Sequence, residues 1–583
     1  MNIAIQPAPQ PVDTQSAGLD LNYVETDEVA DFIARTEAYQ SGEMSSDDYR
    51  AYRLTRGVYG QRQDGVNMMR VKIPGGLLAP DQARRLAELL DESVLGFGNI
   101  TTRTNIQIHH VPPETVPAWK ARLNSAGISQ LDACGNSVRT VTQDPHAGLA
   151  PDEVFDTTPY MQAITRFFLD HPRARLMPRK FKIALSTSVA DRGLTAIHDI
   201  GLVAVVGPDG GAAFRVAIGG GLASTPQTAL IIHDAWPAED VLTPILAAID
   251  LFQDHGNRRV RSKARIKHVL RKLKAEKFTA LYHTYLAKVV AEPPTKIAVT
   301  SEIWQHHPWT FAPPRVVGGE ALAAWARSSV QPTRIQGKVF VTIRFDDGGR
   351  MTGDDLRNLA DISERYADGL VALTVHQNAL LRAVHVDELP QLYTELTAAK
   401  LARPGALYAS NATSCPGTST CNLGITHSRN LAAELQGVLE SREDSDISIK
   451  ISGCHNSCGQ HHIATVGFYG AVKRMGGRPA PHYRLMIGGR VDEDGATFGT
   501  PYGLLPSRRA KTALARILAW ADANKTATET AGDAIRRSTK LDLTPLLAEF
   551  FDLGPSELNE EDFHDIGLDA PFEVLNRKGE CAA

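Results

Sequence analysis

Four of the chain's six cysteines lie close together, in the segments Cys415-Pro-Gly-Thr-Ser-Thr-Cys421 and Cys454-His-Asn-Ser-Cys458. Four thiols in two near pairs are enough to complete one tetrahedral metal or cluster site. Single buried cysteines are common in cores, but packing does not explain two tight pairs in loops rich in Gly, Pro, Asn and Ser. Six cysteines in 583 residues are also too few for a disulfide framework. The pairs therefore predict a metal or cluster site.

The spacing favours an iron-sulfur cluster over a structural zinc ion. Zinc pairs usually have about two to four residues between ligands, and here there are five and three. The ligands of a cluster spread around a larger cube, while backbone N–H groups reach its sulfides. The residues beside the cysteines that suit this need are Pro416, Gly417, Gly453 and Gly459. Zinc remains the alternative.

Seven basic residues of the first half lie at the ends of strand-like segments, in MMRVKIPGG, ITTRTNIQIHH, GNSVRTV and MPRKFKIAL. They are Arg70, Lys72, Arg103, Arg139, Arg179, Lys180 and Lys182. Their β-branched and apolar neighbours, next to glycine turns, favour one shared inward-facing site over scattered surface cations. Arginine forks and lysine point charges are suited to binding several carboxylates and a small oxyanion.

A second basic segment, 258–277, has ten Lys and Arg in twenty residues. Its apolar residues recur at helical spacing, which predicts an amphipathic helix with one buried face formed by Ile266, Val269, Leu270 and Leu273. A nucleic-acid contact is one interpretation. The segment has no interleaved aromatic residues and the whole chain is acidic, so an acidic cofactor is the better partner.

Three adjacent histidine pairs, His109-His110, His306-His307 and His461-His462, are candidate haem ligands. If a pair lies on a strand, its members point to opposite sides, so at most one of each pair faces a site. We expect most of these histidines to be hydrogen-bonded packing residues.

Composition excludes several classes of protein. With 62 Lys+Arg against 66 Asp+Glu, a net charge of −4 gives no global attraction to nucleic acid or to an acidic membrane. No uninterrupted apolar run of about 18 residues is present to span a bilayer. The first residues, MNIAIQPAPQPVDTQSAG, have neither the features of a signal peptide nor the arginines of a transit peptide. We therefore expect a cytoplasmic protein.

The chain divides into two similar halves, and this internal repeat predicts the architecture. At an offset of 273 residues, Leu86 matches Leu359 and Asn105 matches Asn378; at 269 residues, FRVAIGGGL from Phe214 matches YRLMIGGRV from Tyr483. Each half is predicted to contain a small βαβ-type module of about seventy residues and a larger α/β module. The prediction is a mixed α+β and α/β fold, internally duplicated and pseudo-twofold, with its ligand site at the seam between the repeats.

The domain boundaries follow from shifts in composition. The first fifty residues carry ten acids against two arginines, which predicts a solvated arm with a short helix near Asp27 to Tyr39. Proline, glycine and aromatic residues cluster between 292 and 334, which indicates a connection. The predicted units are an acidic arm (1–50), a first small half (51–130), a first large module (131–291), a linker (292–334), a second small half (335–403), a second large module with the cysteines (404–525) and an acidic C-terminal tail (526–583) that wraps a surface.

The motifs RVKIPGG, ITTRTNIQ, GNSVRTV, PRKFK, SCPGTSTC and SGCHNSCG, in this order along the chain, resemble those of the siroheme-dependent sulfite and nitrite reductases. The resemblance covers roughly residues 52–521. It implies ferredoxin-like small halves, siroheme at the seam and a 4Fe-4S cluster held by Cys415, Cys421, Cys454 and Cys458. By the same resemblance Cys458 also bridges to the siroheme iron, and the siroheme carboxylates account for the excess of basic residues.

The resemblance also implies roles for the basic residues. The substrate anion would meet Arg70, Arg139, Lys180 and Lys182, with the two lysines relaying protons. Siroheme edges would contact Arg103, Gln107, His109, Arg261, Arg265 and Lys267. Where the family often has Asn-Asp, this chain has His198-Asp199, and Val260 replaces a commoner Asn. Tyr59 and Cys134 lie in segments that line the site in the family, and some relatives join such a pair covalently.

The family includes enzymes for two substrates. Its nitrite enzymes tend to have Asn at the second position of the lysine pair and its sulfite enzymes Lys, and here that residue is Lys182. We therefore predict an assimilatory sulfite reductase that makes sulfide with six electrons. Ferredoxin-dependent nitrite reductase is the alternative, and a zinc or iron-sulfur protein that binds nucleic acid is the non-enzymatic one. The chain has no convincing dinucleotide fingerprint or flavin module, so a separate ferredoxin or flavoprotein must donate electrons.

Overall fold

The computed structural model describes residues 10–25, 27–299, 301–304, 319–551, 553–575 and 580. Four five-stranded sheets and two small hairpins make up its β-structure. The hairpins are Gln15–Ser16 with Leu19–Asp20, and Arg490–Asp492 with Gly495–Thr497. The helices are Glu28–Gln40, Ser46–Thr55, Pro80–Glu92, Val116–Ser125, Thr158–Phe168, Leu242–His255, Ile266–Val290, Glu320–Ser329, Asp346–Gly349, Gly353–Tyr366, Leu389–Ala398, Ser428–Leu439, Ala510–Asn524, Ala531–Arg537 and Lys540–Phe551.

Two antiparallel sheets form the paired small halves. In spatial order the first contains Arg350–Thr352, Phe97–Ile100, Ile106–Val111, Asn67–Val71 and Val58–Gly60. The second contains Val330–Pro332, Lys338–Ile343, Ala379–His385, Val371–Leu373 and Leu77–Leu78. Each half lends one short strand to the sheet of the other, because Arg350–Thr352 pairs with Phe97–Ile100 and Leu77–Leu78 pairs with Val371–Leu373. The two halves therefore share one fold unit and one core.

The helices Pro80–Glu92 and Gly353–Tyr366 pack against each other at the centre of this pair. Leu86 and Leu359, which match at the offset of 273, are both fully buried in the shared core. Arg84 Nη2 forms an ion pair with Glu364, and Arg357 Nη1 lies 2.7 Å from Asp91. Since Arg84 matches Arg357 and Asp91 matches Glu364 at this offset, the ion pairs repeat about a pseudo-twofold axis.

The two large modules have sheets of the same strand order and direction. The first sheet runs Leu230–Pro237, Ala212–Ile218, Ile200–Val206, Ile183–Ser186 and Thr142–Gln143. The second runs Thr500–Pro506, Arg478–Ile487, Val466–Met475, Ile449–Ser452 and Thr413–Ser414. In both sheets, neighbours among the first three strands are antiparallel, and the last two strands run parallel to the third. The duplicated mixed fold with its pseudo-twofold arrangement is thus confirmed.

The segments outside the repeats are more ordered than the sequence predicted. The short helix predicted near Asp27 to Tyr39 is present as Glu28–Gln40, but the segment is not a solvated arm, because Leu21, Tyr23 and Phe32 are buried in the main cores. The second part of the predicted linker contains the helix Glu320–Ser329, whose Trp325 lies in the core of the paired halves. The C-terminal tail forms helices, and Leu543 and Leu547 of Lys540–Phe551 belong to the core of the second large module.

The basic segment and one histidine pair also differ from expectation. The helix begins at Ile266, so Arg261, in the turn Arg261–Lys263, and Arg265 precede it. Its predicted apolar face is confirmed by burial of Ile266, Val269 and Leu270. The pair 461–462 lies in a 3₁₀ turn rather than on a strand, and both rings are buried, with centroids 4.1 Å apart. The pair 306–307 lies outside the described residues. In the described part of the chain, no helix combines the length and apolarity that crossing a bilayer would require.

Candidate functional site

One face of the first small sheet carries polar side chains toward the seam. Arg70 is paired with Gln107 across one strand boundary, and Gln107 is paired with Asn99 across the next, so the three side chains share a face. Gln107 and Asn99 are buried. Met69 and Ile108, on the opposite face, are fully buried in the core of the paired halves. This alternation leaves a polar row along the floor of the seam.

Arg70 and Arg139 both contact Tyr59, one at its ring and the other at its hydroxyl. The guanidinium carbon of Arg70 is 5.3 Å from the ring centroid. Arg139 Nη2 is 3.5 Å from the Tyr59 hydroxyl, while its Nη1 and Nε donate to the carbonyls of Ala133 and Gly135 at 2.9 and 3.0 Å. Main-chain carbonyls on both sides of Cys134 therefore fix Arg139 beside Tyr59.

Arg103 connects these arginines to the lysine pair. Burial, with repulsion from Arg139, Arg265 and Arg70, lowers the pKa of Arg103 to about 9. Burial likewise lowers the pKa of Lys182 well below its ordinary value, and Arg103, Arg265 and Lys180 add repulsion. The fold thus brings five of the seven predicted cations together with Arg265. This group, the cation cluster, is made of Arg70, Arg103, Arg139, Lys180, Lys182 and Arg265.

Asp199 is the carboxylate that offsets part of this charge. Arg265 Nη2 donates to Asp199 at 2.6 Å and the backbone N–H of Lys182 donates to it at 2.9 Å. His198, beside it, donates through Nδ1 to the carbonyl of Leu194 if that nitrogen carries the proton. Burial and the charges of Arg103 and Lys182 lower the pKa of His198 well below its usual range, so its ring is neutral. His198 therefore adds no further positive charge beside Asp199.

The structure places Lys267 and Arg261 differently from Arg265. The Lys267 ammonium is buried and donates to the carbonyls of Leu222 and Thr225, the latter at 2.7 Å. Burial and the charge of Arg265 lower its pKa to about 7. Arg261 is exposed. Lys72 is directed away from the cation cluster, since its ammonium donates to the carbonyl of Leu131 at 3.0 Å.

Two loops bring the cysteines together at the carboxyl ends of parallel strands. Thr413–Ser414 leads into Cys415, and Ile449–Ser452 ends two residues before Cys454. The N–H of Gly453 donates to Cys415 Sγ at 3.1 Å. A Cβ on Gly453 would lie 2.6 Å from Gly417 Cα, so only glycine allows the loops to approach this closely.

The thiols lie in a shared electrostatic environment. Burial, with the neighbouring Cys458 and Cys415, raises the pKa of Cys454 to about 12. The five cysteines in the described residues are all free of disulfide bonds, and Cys581 lies outside that part of the chain. Among the same residues, no three His, Cys, Asp or Glu side chains have the spacing that would hold a single metal ion.

Segments of the first half hold the cysteine loops in place. The N–H of Arg62 donates to the carbonyl of Thr420 at 2.9 Å, and Gln63 Nε2 donates to that of Ser419 at 2.8 Å. Thr102 Oγ1, next to Arg103, donates to the carbonyl of Cys458 at 2.9 Å. The cation cluster and the cysteine loops therefore meet across the seam between the repeats.

Unpaired buried groups test whether this seam fits an anionic, metal-containing cofactor. Both ring nitrogens of His109 and Nη1 of Arg103 are buried without a hydrogen-bond partner. Burial and repulsion from Arg429 keep the pKa of His109 well below its usual range. Buried donors without partners and clustered like charges are costly, and carboxylates would satisfy both. The residues present therefore fit a cofactor rich in carboxylates beside a thiolate-ligated cluster.

Sequence reasoning missed Arg429. This side chain is 9% exposed and donates through Nη2 to Asn99 Oδ1 of the polar row. It lies in the first turn of Ser428–Leu439, in a segment whose spacing predicts an ordinary amphipathic helix. A buried arginine in such a helix has no signal in a single sequence.

Comparisons with known proteins agree with this geometry. The family model described as "Nitrite and sulphite reductase 4Fe-4S domain" matches residues 134–290, and "Nitrite/Sulfite reductase ferredoxin-like half domain" matches 59–126 and 333–399. The first match lies in the repeat that lacks the cysteine pairs. The large-module sheet of this repeat has the same strand order as the large-module sheet of the other repeat, which contains the cysteine pairs.

Proteins with both substrate names are similar to the chain. A ferredoxin–nitrite reductase of Synechococcus elongatus is 28% identical over 74% of this chain and 81% of its own length. A sulfite reductase [ferredoxin] of Mycobacterium tuberculosis is 29% identical over 76% and 80%, respectively. Both names describe oxidoreductases.

One solved structure also has this fold. The Mycobacterium tuberculosis NirA protein matches with a TM-score of 0.74 and 26% identity, over 88% of this chain and 95% of that one. With the duplicated ferredoxin-like halves, the cysteine loops and the cation cluster, these matches assign the cofactors as siroheme and a 4Fe-4S cluster. The chain therefore belongs to the siroheme-dependent nitrite and sulfite reductase family of oxidoreductases.

Proposed function

We propose that this protein is an assimilatory sulfite reductase that reduces sulfite to sulfide with six electrons. The observation that carries the proposal is the charge of the cation cluster, in which Lys182 is a second lysine beside Arg103, Arg265 and Lys180. Sulfite carries up to two negative charges on three oxygens, whereas nitrite carries one on two oxygens. A pocket with an additional lysine favours the more highly charged anion.

The proposed roles follow from the chemistry of each group. Arg70 and Arg139, which both contact Tyr59, bind sulfite oxygens through their guanidinium forks. Lys180 and Lys182 stabilise the oxyanion and supply protons as oxygen leaves as water. The lowered pKa of Lys182 makes it a better proton donor near neutral pH than an ordinary lysine.

The proposed cofactor contacts remain those that the sequence predicted. Carboxylates of siroheme would be held by Arg103, Gln107, His109, Arg261, Arg265 and Lys267, and the cluster by Cys415, Cys421, Cys454 and Cys458, with Cys458 shared. When bound, the two cofactors supply the stored electrons and the iron at which the substrate is reduced. Lys267 already donates to two carbonyls, so its contact with siroheme would use the third N–H of the same ammonium.

The proposed electron donor is a ferredoxin. The similar proteins of Synechococcus elongatus and Mycobacterium tuberculosis carry ferredoxin in their names, which supports this choice over a flavoprotein. The predicted domain boundaries stay predictions. The cytoplasmic location also stays a prediction, since similar rice and maize proteins are named chloroplastic. Nucleic-acid binding by segment 258–277 stays the non-enzymatic alternative.

The test compares both substrates on the purified holoenzyme with a reduced viologen. We expect kcat/KM for sulfite to exceed that for nitrite. Lys182→Asn should lower the sulfite to nitrite ratio of kcat/KM about tenfold or more, because it removes one charge that favours the dianion. Lys272→Asn, which changes an exposed lysine, is the control and should leave the ratio unchanged. If the unmodified enzyme reduced nitrite much faster than sulfite, it would be a nitrite reductase and the role given to Lys182 would be wrong.

A further inference from the structure

Arg429 is a buried cation that the proposed mechanism does not use. It is 9% exposed, and burial lowers its pKa to about 10. Its Nη2 donates to the neutral amide of Asn99, while Nε has no hydrogen-bond partner. Within the described residues, no carboxylate lies at ion-pair distance from it. A buried charge without a close counter-ion is expensive to maintain unless something else compensates it.

Cys415, which would be a thiolate as a cluster ligand, contacts Ser428, the residue directly before Arg429. Attraction to Cys415 raises the pKa of Arg429, with a smaller contribution from Asp347, while Arg350 opposes both. The same Cys415 Sγ accepts the N–H of Gly453 at 3.1 Å and lies 3.4 Å from Ser428 Oγ. Ser428 Oγ also donates to the Cys415 carbonyl at 2.7 Å, which fixes the start of the helix that carries Arg429 against this cysteine.

We propose that Arg429 is a positioning residue that raises the reduction potential of the cluster through Cys415. The proposal rests on Cys415 being a cluster ligand. A 4Fe-4S cluster with four thiolates gains one negative charge on reduction, and a fixed positive charge stabilises the reduced state more than the oxidised one. Because the site is buried, solvent screens this interaction weakly.

Asn99 links this effect to the substrate side of the seam. Asn99 holds Arg429 and belongs to the polar row with Gln107 and Arg70. The charge of Arg429 also lowers the pKa of His109, which keeps that imidazole neutral at the proposed siroheme edge. Arg429 therefore acts on the ligand of the electron store and on a neighbour of the catalytic cofactor.

The test is the midpoint potential of the cluster in holoenzyme, measured by EPR during a dye-mediated redox titration. Arg429→Gln should shift the potential to a more negative value with iron and siroheme contents unchanged. Arg429→Lys keeps the charge and should stay closer to the unmodified protein than Arg429→Gln does. Arg516→Gln, on another helix of the same module, is the control for removing an arginine and should cause no shift.

Asn99→Asp provides a second, independent readout because it leaves Arg429 in place. A carboxylate at this position would neutralise the guanidinium, so the potential should again move to a more negative value. An unchanged potential in both Arg429→Gln and Asn99→Asp, or equal shifts for Arg429→Gln and Arg429→Lys, would overturn the proposal. If Arg429→Gln fails to load iron, Asn99→Asp alone decides. Cys415→Ser separately tests the ligand assignment, which fails if that variant keeps a full cluster.

Discussion

Tyr59 and Cys134 lie in one small buried cluster with Leu54, Met68 and Ala133. The carbonyls on either side of Cys134 bind Arg139, which in turn reaches the Tyr59 hydroxyl. A covalent bond between the two side chains would fix the Tyr59 ring that Arg70 and Arg139 contact. The packing of Tyr59 with Cys134 matters because Arg70 and Arg139, which both contact Tyr59, are the proposed oxyanion clamp.

We predict that the mature holoenzyme contains a thioether between Cys134 Sγ and the Tyr59 ring. One C–S bond would form, and one hydrogen from each side chain would be lost to an external oxidant, so the intact mass would fall by two hydrogens. Peptide mapping would locate the loss, and Cys134→Ser would abolish it. An unmodified mass for both peptides in active enzyme would rule out the bond.

Asp144 shows how one carboxylate fixes the strand that follows Lys182. Its side chain is fully buried and accepts hydrogen bonds from Arg192 Nε and Thr187 Oγ1, both at 2.9 Å. Its N–H donates to the carbonyl of Leu185, in the strand Ile183–Ser186. Burial alone would raise the pKa of Asp144, but Arg192 and His146 hold it well below its ordinary value.

We predict that Asp144→Asn lowers the free energy of unfolding at pH 7 by about 2–3 kcal/mol, because Arg192 keeps only Asp152 as a partner. Since the folded-state pKa is depressed, the contribution of Asp144 is present above the unfolded pKa of about 3.9 and is lost as the pH falls toward the folded value. The gap between unmodified and mutant protein should therefore narrow below about pH 5. Urea titrations across this range test it, with Asp234→Asn as an exposed control. A difference in unfolding free energy that does not change with pH would contradict the lowered pKa of Asp144.

At the scale of elements, the internal repeat was the part of the fold that the sequence could predict. Most buried apolar positions of Pro80–Glu92 match those of Gly353–Tyr366, because the two helices pack against each other, and Leu90, which falls on Ser363, is an exception. The exchange of Leu77–Leu78 and Arg350–Thr352 between sheets could not be predicted, since strands of two or three residues have no periodicity. The cation and cysteine motifs predicted the two sides of the site, but not Arg429, whose partner Asn99 is 330 residues away.

Glu580, near the C-terminal end of the sequence, binds the strand Val58–Gly60 and the helix before it. Its carboxylate accepts Arg53 Nη1 at 2.9 Å and Nη2, and it also accepts the N–H of Gly60. Both side chains of this pair are 15% exposed, so solvent screens them less than a surface pair. Since Tyr59 lies at the centre of this strand, the contact positions part of the proposed oxyanion clamp.

We predict that Glu580→Ala loosens Val58–Gly60 without unfolding the protein. Amides of this strand should exchange about tenfold to a hundredfold faster, which corresponds to about 1.4–2.8 kcal/mol of local stability. Hydrogen exchange of the peptide containing Tyr59 tests this, and Glu573→Ala, at an exposed position, is the control. Unchanged exchange at Tyr59 would show that the strand is held by its sheet alone.

At the scale of the whole molecule, a nearly symmetric backbone carries an asymmetric distribution of chemical groups. The two large modules share one strand order, yet the first contributes cations and the second contributes thiols. Such a division concentrates like charges on one side of the seam, and a net charge of −4 conceals it. Repulsion among these cations therefore destabilises the protein without its cofactor, and the anionic cofactor reduces that repulsion.

This asymmetry predicts that Arg103 lowers the stability of the siroheme-free protein and is needed to bind siroheme. In siroheme-free protein, Arg103→Gln should raise the free energy of unfolding by about 0.5–2 kcal/mol, because it removes one buried like charge and an unpaired Nη1. The same variant should retain less siroheme when the cofactor is supplied. Urea unfolding and the siroheme absorbance measure the two effects, with Arg490→Gln as an exposed control. Millimolar pyrophosphate should stabilise the unmodified siroheme-free protein more than the variant, because the variant offers the anion one charge fewer. A variant that is less stable and still binds siroheme fully would show that Arg103 is a structural residue and that the cation cluster does not hold the cofactor.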